Sequence, residues 1–348
     1  MEMDFIKKLV YSYIIGAIGG SLFVWFHMPL PWVLGAVTSL LFYKTIWKQD
    51  TASSIPLKNI SFALLGVQLG SSFTEDTFQQ IGPYIIPYLF FTCFIIAVSL
   101  FNGYIVSKWL PVKMDTSMLG SIPGGLSASI ALSDSLQSNT VLVTIFHTIR
   151  LVAVLFIIPF SATHFFYEGN IVSAELSPST NTGEWYTIAF LILSYLVAVL
   201  LNKKIPAAYV MIPMFTVGIL KVIGVPMMSL PDFLFIWAQI TLGVYLGNSI
   251  NIEDLMKAGK YCMIYFGLSV WLIIMSFCLG YVFSQMVDIS IATAILSIAP
   301  GGLIEMALTA QSVGGDPSIV SSLQMVRLLI VVMIVPIFLQ WFFRKMEK

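Results

Sequence analysis

Charge is what this 348-residue sequence has least of: Asp, Glu, Lys and Arg make up 10% of it, against 58% hydrophobic and 14% aromatic residues. A soluble domain carries about 25% charged residues, so there are too few here to cover a water-facing surface of this size. The 17 basic and 17 acidic side chains cancel to a formal net charge of +0. That leaves none of the basic excess of a nucleic-acid binder, and no nucleic-acid partner is expected. Cys93, Cys262 and Cys278 each lie in an apolar run without CxxC spacing, which argues against a disulfide framework or a thiolate metal site. The three histidines, His27, His147 and His164, fall in different elements with no HxxxH or carboxylate spacing, so a copper or di-iron oxidation site is poorly supported. GxSxG, P-loop and dinucleotide fingerprints are missing as well. The expectation is a protein that is not an enzyme, has no cofactor and no bound metal, and is no ATP-driven pump unless another subunit supplies the ATPase.

What is present is apolar sequence in membrane-length pieces. Mean hydropathy is +0.92, and runs of about 17–25 apolar residues fit a bilayer. They fall at about 9–26, 30–47, 55–72, 83–107 and 141–161, then 185–202, 206–223, 232–249, 261–284 and 318–343. The first run follows Lys7 and Lys8, has no convincing small-x-small cleavage site, and reads as a spanning helix rather than a removed signal peptide. Two more stretches, about 116–137 and 290–314, are apolar but broken by Pro-Gly-Gly.

The Lys/Arg bias of short loops sets the orientation. With Lys7 and Lys8 cytoplasmic, alternation puts Lys44, Lys48 and Lys58 inside, Glu75 and Asp76 outside, and Lys108 and Lys113 inside. If the first Pro-Gly-Gly stretch enters and leaves on the cytoplasmic side, Glu168, Glu175 and Glu184 fall outside. Lys203, Lys204 and the tail Arg344, Lys345 and Lys348 then fall inside. A full crossing there would reverse the second half, so a re-entrant segment is expected, with both termini cytoplasmic in a multi-pass inner (plasma) membrane protein.

One constant offset of 177 residues runs through the chain. Gly66-Val67-Gln68-Leu69-Gly70 maps onto Gly243-Val244-Tyr245-Leu246-Gly247, and Pro123-Gly124-Gly125-Leu126 onto Pro300-Gly301-Gly302-Leu303. Pro29 meets Pro206, Arg150-Leu151 meets Arg327-Leu328, and Pro159 meets Pro336 at the same offset. The predicted fold is therefore all-α and polytopic, built of two inverted repeats, each of five transmembrane helices plus one re-entrant Pro-Gly-Gly segment. The repeats occupy 1–165 and 185–348, joined by an extracytoplasmic connector at 166–184. Many secondary transporters are built this way, with the site where broken elements of the two halves meet.

Gly120-Ser-Ile-Pro-Gly-Gly-Leu-Ser127 and Ala299-Pro-Gly-Gly-Leu-Ile-Glu-Met306, followed by Gly315-Asp316-Pro317 and Met325-Val-Arg327, resemble the duplicated membrane AbrB family, as does Leu30-Pro-Trp-Val-Leu-Gly35. That family also carries an ammonia monooxygenase label and a label as a regulator of gene expression. The resemblance implies a distant likeness to inverted-repeat secondary transporters, without a substrate.

The residues that could carry chemistry are few. Pro-Gly-Gly breaks a helix and frees backbone polar groups, which in hydrocarbon must be buried in protein or face a water-filled cavity. Pro123, Gly124, Gly125, Pro300, Gly301 and Gly302 are accordingly candidate substrate-site residues, with a packing kink as the alternative. Ser127, Ser129 and Thr309 could add hydroxyls, although helix-packing Ser and Thr are equally common. Of three arginines, Arg150 and Arg327 lie inside predicted spans at equivalent positions. Either they bind an organic anion, or each holds carbonyls freed by its own break, or Arg327 pairs with Glu305. Glu305 is a candidate ion-coupling carboxylate and has Ala128 as its counterpart, so its task is done once. Asp134 and Asp316 read as helix-end residues. Gln68, Gln239, Asn248 and Gln324 are polar residues in spans, and His147 stands one turn before Arg150 and opposite Gln324 in the repeat.

The functional expectation is a secondary transporter of a small, anionic organic solute working by alternating access. Its partners are the solute or ion and the lipid bilayer, with assembly into a homo-oligomer left open. The alternatives are a membrane sensor that alters gene expression indirectly, and a membrane-oxidase subunit.

Overall fold

In a computed structural model the described residues are 2–124, 129, 133, 138–166, 187–225, 227 and 230–346. Among them every regular element is helical: α1 Glu2–Trp25, α2 Pro31–Trp47, α3 Ile55–Gly70, α4 Glu75–Trp109, α5 Met114–Ser121, α6 Thr140–Phe165, α7 Thr187–Leu201, α8 Ala208–Val222, α9 Asp232–Ser249, α10 Ile252–Ala258, α11 Lys260–Val287, α12 Ile291–Ile298, α13 Leu303–Val313, α14 Pro317–Leu329, a π-helical turn Ile330–Ile334, and α15 Val335–Met346. Five helical stretches are long and apolar enough to cross a bilayer: Asp4–Trp25, Ile81–Trp109, Thr140–Phe165, Tyr261–Val287 and Pro317–Phe343. Thr187–Leu201, Ala208–Val222 and Leu303–Val313 are apolar but shorter. Apart from Phe166, the expected connector at 166–184 lies outside the described residues.

Helix starts recur at the spacing read from the sequence. Pro31 and Ala208, Ile55 and Asp232, Met114 and Ile291, and Thr140 and Pro317 are each 177 residues apart. The residues before α2 and α8, Leu30 and Ala207, both hold a left-handed backbone, at φ 45 and φ 52. Non-glycine residues adopt that conformation uncommonly, and here it recurs at equivalent places.

The chain packs as two compact units that cut across the sequence halves. One is Met1–Gln79, Pro159–Ile252 and Ala307–Ser318, and the other is Gln80–Ile158, Glu253–Met306 and Ile319–Lys348. In the first, glycines let helices of the two halves cross at backbone contact. A β-carbon at Gly66 would land on the Val210 carbonyl oxygen, and one at Gly243 would land 2.6 Å from that of Val33. Val33 and Val210 are themselves repeat equivalents, so α3 crosses α8 as α9 crosses α2. The buried Ser61 hydroxyl donates to Ala238 O at 2.7 Å, across 177 residues of sequence. Two lysines finish the pattern: Lys44 Nζ donates to Gly247 O at 2.8 Å, and its counterpart Lys221 donates to Ser71 O. A cation on the last carbonyls of a helix satisfies groups that have no intrahelical partner and complements the helix dipole.

In the second unit α4 and α11 carry the matching device. A β-carbon at Gly103 would sit 2.8 Å from Met118 Cα, and one at Gly280 would sit 2.7 Å from Ile295 Cα. These glycines bring the short helices α5 and α12 against long neighbours. Tyr265 OH and Ser117 Oγ share a hydrogen bond of 2.6 Å, Ser117 Oγ donates to Gly103 O at 2.6 Å, and Phe146 stacks on Tyr265 with ring centroids 3.5 Å apart.

Gly66→Val forces the α3–α8 crossing apart. The expected outcome is a destabilisation of about 1–3 kcal/mol, as for other overpacked cores, read as a lower midpoint of thermal unfolding in detergent. The same substitution at Gly267, where a β-carbon meets nothing within 4 Å, should leave the midpoint unchanged.

Candidate functional site

The candidate site lies in the second unit, at the ends of the two eight-residue helices. Both stop at proline breaks, after Ser121 and after Ile298. A helix that ends in an apolar interior leaves its last carbonyls without partners, and an orphaned buried acceptor costs about 1–3 kcal/mol. Buried side chains from α14 and α4 supply the missing donors. Gln324 Nε2 donates to Leu296 O at 2.7 Å, Ser297 O at 3.1 Å and Ala299 O at 3.2 Å. Tyr88 OH donates to Ser297 O at 3.2 Å. Arg327 closes the row, its two terminal nitrogens donating to Ala299 O and Gly301 O.

The first break is held in the same register. Arg150 donates to Ile122 O, and Ile122 is the counterpart of Ala299, so equivalent arginines hold equivalent carbonyls 28 residues upstream. The arginines are 9% and 4% exposed, and the two guanidinium groups lie near enough for their charges to interact. Like charges in a buried unit need a compensating charge or dipole. The carbonyl ends of α5 and α12 supply the dipole.

Where the clamp differs between halves is at His147, which stands where Gln324 stands in the other half. The His147 ring is 2% exposed and faces the Leu119 backbone, the counterpart of Leu296, but among the described residues neither ring nitrogen reaches full hydrogen-bond geometry. An imidazole offers at most one donor when neutral and does not span the row of carbonyls that the Gln324 amide reaches.

The remaining expected site residues are placed as follows. Pro123 and Pro300 are buried, Gly124 and Gly301 are partly exposed, and Gly302 is exposed. Gly124 has φ +99, a conformation open to glycine and strained for an L side chain. Gly125, Ser127 and Asp134 lie outside the described residues. Ser129 is buried in the second unit, and Thr309 is buried in the first. Glu305 is partly exposed in the first turn of α13, and a β-carbon on Gly302 would collide with its carboxylate. A carboxylate three residues into a helix, turned back on the residue before it, is placed to compensate free N–H groups and the positive end of the dipole. Asp316 Oδ1 accepts from Ser318 N at 2.8 Å and caps α14, as its helix-end position suggested. In the first unit Gln239 is buried, and Asn248 Oδ1 accepts from the Thr51 hydroxyl at 2.6 Å. Among the described residues no group of three or more His, Cys, Asp or Glu is arranged to hold a metal.

Sequence reasoning missed the role of Gln324, and it left Tyr88, Ser117 and Tyr265 unread. The signal for Gln324 was available: it is the counterpart of His147, which had already been placed beside Arg150.

Fold and site together define a class: a helical protein with several membrane-length apolar helices, in which two helix breaks are held by buried arginines at equivalent positions. Residues 5–343 match the family model described as "Transition state regulatory protein AbrB", and the chain belongs to this AbrB family. It is 24% identical over 354 residues to "Uncharacterized protein YhjN" of Bacillus subtilis (strain 168), covering 93% of this chain and 90% of that protein. It is 22% identical over 277 residues to "Putative regulator AbrB" of Escherichia coli (strain K12), covering 76% of this chain and 77% of that protein.

Arg327→Ala leaves the Gly301 carbonyl without its side-chain donor and the Ala299 carbonyl with only Gln324 and the Gly301 N–H, and should cost about 1–3 kcal/mol. Arg327→Lys, with one point donor in place of a fork, should recover only part of it. His147→Gln should hold or raise stability, because the amide can take up the carbonyl row as Gln324 does. Unfolding midpoints of the three purified variants check the ranking, and a destabilised His147→Gln would show that the ring does something else.

Proposed function

We propose that this protein is a secondary transporter for a small organic anion in a cell membrane, working by alternating access. The observation that carries the reading is the pair of helix breaks in one packed unit, each anchored by a buried arginine at an equivalent position. Broken helices at matching positions are the best pointer to a transporter's binding site, because irregular backbone at membrane depth persists only where protein or a water-filled cavity surrounds it. The constant spacing of 177 supports two inverted repeats of five spans and one re-entrant segment each. The loop charges support cytoplasmic termini.

In this reading the arginines hold each break open and also set a positive field at its mouth. Arg327 gives its terminal nitrogens to carbonyls, so solute recognition rests on that field, on the backbone N–H groups of Gly124 and Gly302, and on Ser129. The exposed Gly302 beside the start of α13 is where an anion's carboxylate would compete with Glu305 for the N–H groups of the first turn. Glu305, at the same place and without a counterpart in the first half, is the candidate coupling group: loading it with a proton or cation changes the charge that an incoming anion meets. The packing of the chain as two separate compact units is what alternating access requires.

The second reading is a membrane regulator. The names carried by the family and by the Escherichia coli relative favour it. The two readings separate in proteoliposomes made with full-length protein and loaded with a mixed pool of di- and tricarboxylates and amino acids. The transporter reading expects counterflow of at least one labelled anion, abolished or uncoupled in Glu305→Gln. Saturable binding without flux would contradict it and favour the regulator.

A further inference from the structure

Within the second unit, the C-terminal halves of α4 and the last helix enclose an apolar groove of about 620 Å³, lined by Ile96, Leu100 and Tyr104 on one side and Ile330, Ile334 and Phe338 on the other. Met118 of α5 also lines it, but it holds none of the residues assigned to the breaks. The two walls run in the same direction. Tyr88 and Phe91 share a core cluster with Ile319 and Leu323, while Ile96 and Leu100 share the next one with Val335, Leu339 and Phe343. Both helices therefore finish at the same end of the groove.

Length, lining and charge each restrict the occupant. From Cys93 to Tyr104 the groove follows about three helical turns, roughly 16 Å at 1.5 Å per residue. That is half of a hydrocarbon core of about 30 Å, the depth of a single leaflet. Among the described residues no charged side chain lines it, so it suits a chain of methylenes rather than an ionic solute. At the end where both helices finish the sequence turns basic. Lys108 Nζ lies over the Tyr104 ring, 5.4 Å from its centroid, Lys113 follows in the adjoining turn, and the last turn of α15 carries Arg344 and Lys345 in its sequence, against Asp115. Clusters of Lys and Arg at a helix end attract anionic lipid headgroups. The floor of the groove includes the π-helical turn Ile330–Ile334, whereas the equivalent stretch of α6 is regular α-helix. Such single wide turns recur at functional sites.

We infer that this groove is a seat for one anionic phospholipid, its acyl chain along Ile96–Tyr104 and Ile330–Phe342 and its headgroup among Lys108, Lys113 and the basic end of α15. Ala97 is the small residue on the α4 wall, which makes it the position at which a bulky side chain fills the groove without entering the core.

Native mass spectrometry of the full-length protein tests this, after purification in detergent and exchange into an equimolar mixture of phosphatidylglycerol and phosphatidylcholine. The wild type should retain one phosphatidylglycerol per chain, favoured by fivefold or more over phosphatidylcholine. Ala97→Trp, with an unchanged unfolding midpoint, should lose the retained lipid. Lys108→Gln combined with Arg344→Gln should keep a lipid but lose the preference, about fivefold for each cation removed. Equal retention of the two lipids by the wild type, or full retention by Ala97→Trp, would overturn the proposal. So would a wild-type dimer that Ala97→Trp dissociates, which would make a second copy of the chain the occupant. None of these outcomes depends on transport, so the lipid seat and the transporter reading stand or fall separately.

Discussion

A backbone carbonyl that loses its helical partner in an apolar interior has to find another donor, and the architecture of the second unit depends on how this protein meets that requirement. Pro123 and Pro300 end short helices where water is scarce. In water the freed groups would be hydrated at little cost, but in hydrocarbon each is an uncompensated dipole. Arg327, Gln324 and Tyr88 take up the carbonyls from Leu296 to Gly301, and Arg150 takes Ile122. A buried guanidinium is itself expensive. The break and the arginine are each unfavourable alone, and together the negative ends of α5 and α12 meet cations that point at them.

This solution appears twice at the constant spacing of 177 residues, and the two halves of the sequence depart from each other at particular places. Glycine crossings, lysine caps and left-handed residues before α2 and α8 are all matched, and all of them concern backbone packing. The unmatched features cluster near the breaks and the last helix: Glu305 against Ala128, Gln324 against His147, and the π-helical turn against regular α6. Packing is conserved between the halves where the geometry tolerates no change.

Much of this was legible in the sequence, because scarcity made single residues readable. The ten apolar runs each correspond to helix, α9 over 232–249 among them, and five helical stretches are long and apolar enough to cross a bilayer; α1 begins seven residues before its run. α4 extends eight residues earlier than its apolar run, through the polar turn from Glu75 to Gln80, where hydropathy carries no signal but helix propensity does. The pairing of Arg150 with Arg327 was visible from the offset, while their carbonyl partners were one of several alternatives until the backbone geometry was known. Tyr88, Ser117 and Tyr265 gave no sign of their roles, because a hydroxyl on an apolar helix reads the same whether it donates to its own turn or across to a neighbour. The grouping of the chain into units that mix the two halves was not legible either. It follows from the contacts of Gly66 with Val210 and Gly243 with Val33, which hydropathy does not encode.

The central claim is that each arginine holds its own break. Hydrogen exchange of the full-length protein in detergent tests it directly, followed at peptides covering 117–124 and 294–302 in Arg150→Ala and Arg327→Ala. Each substitution should speed exchange at its own break, the Ala299 amide bonded to Ile295 O at 2.8 Å included, and leave the other break near the wild-type rate. Exchange that stays slow at the substituted break would contradict the account.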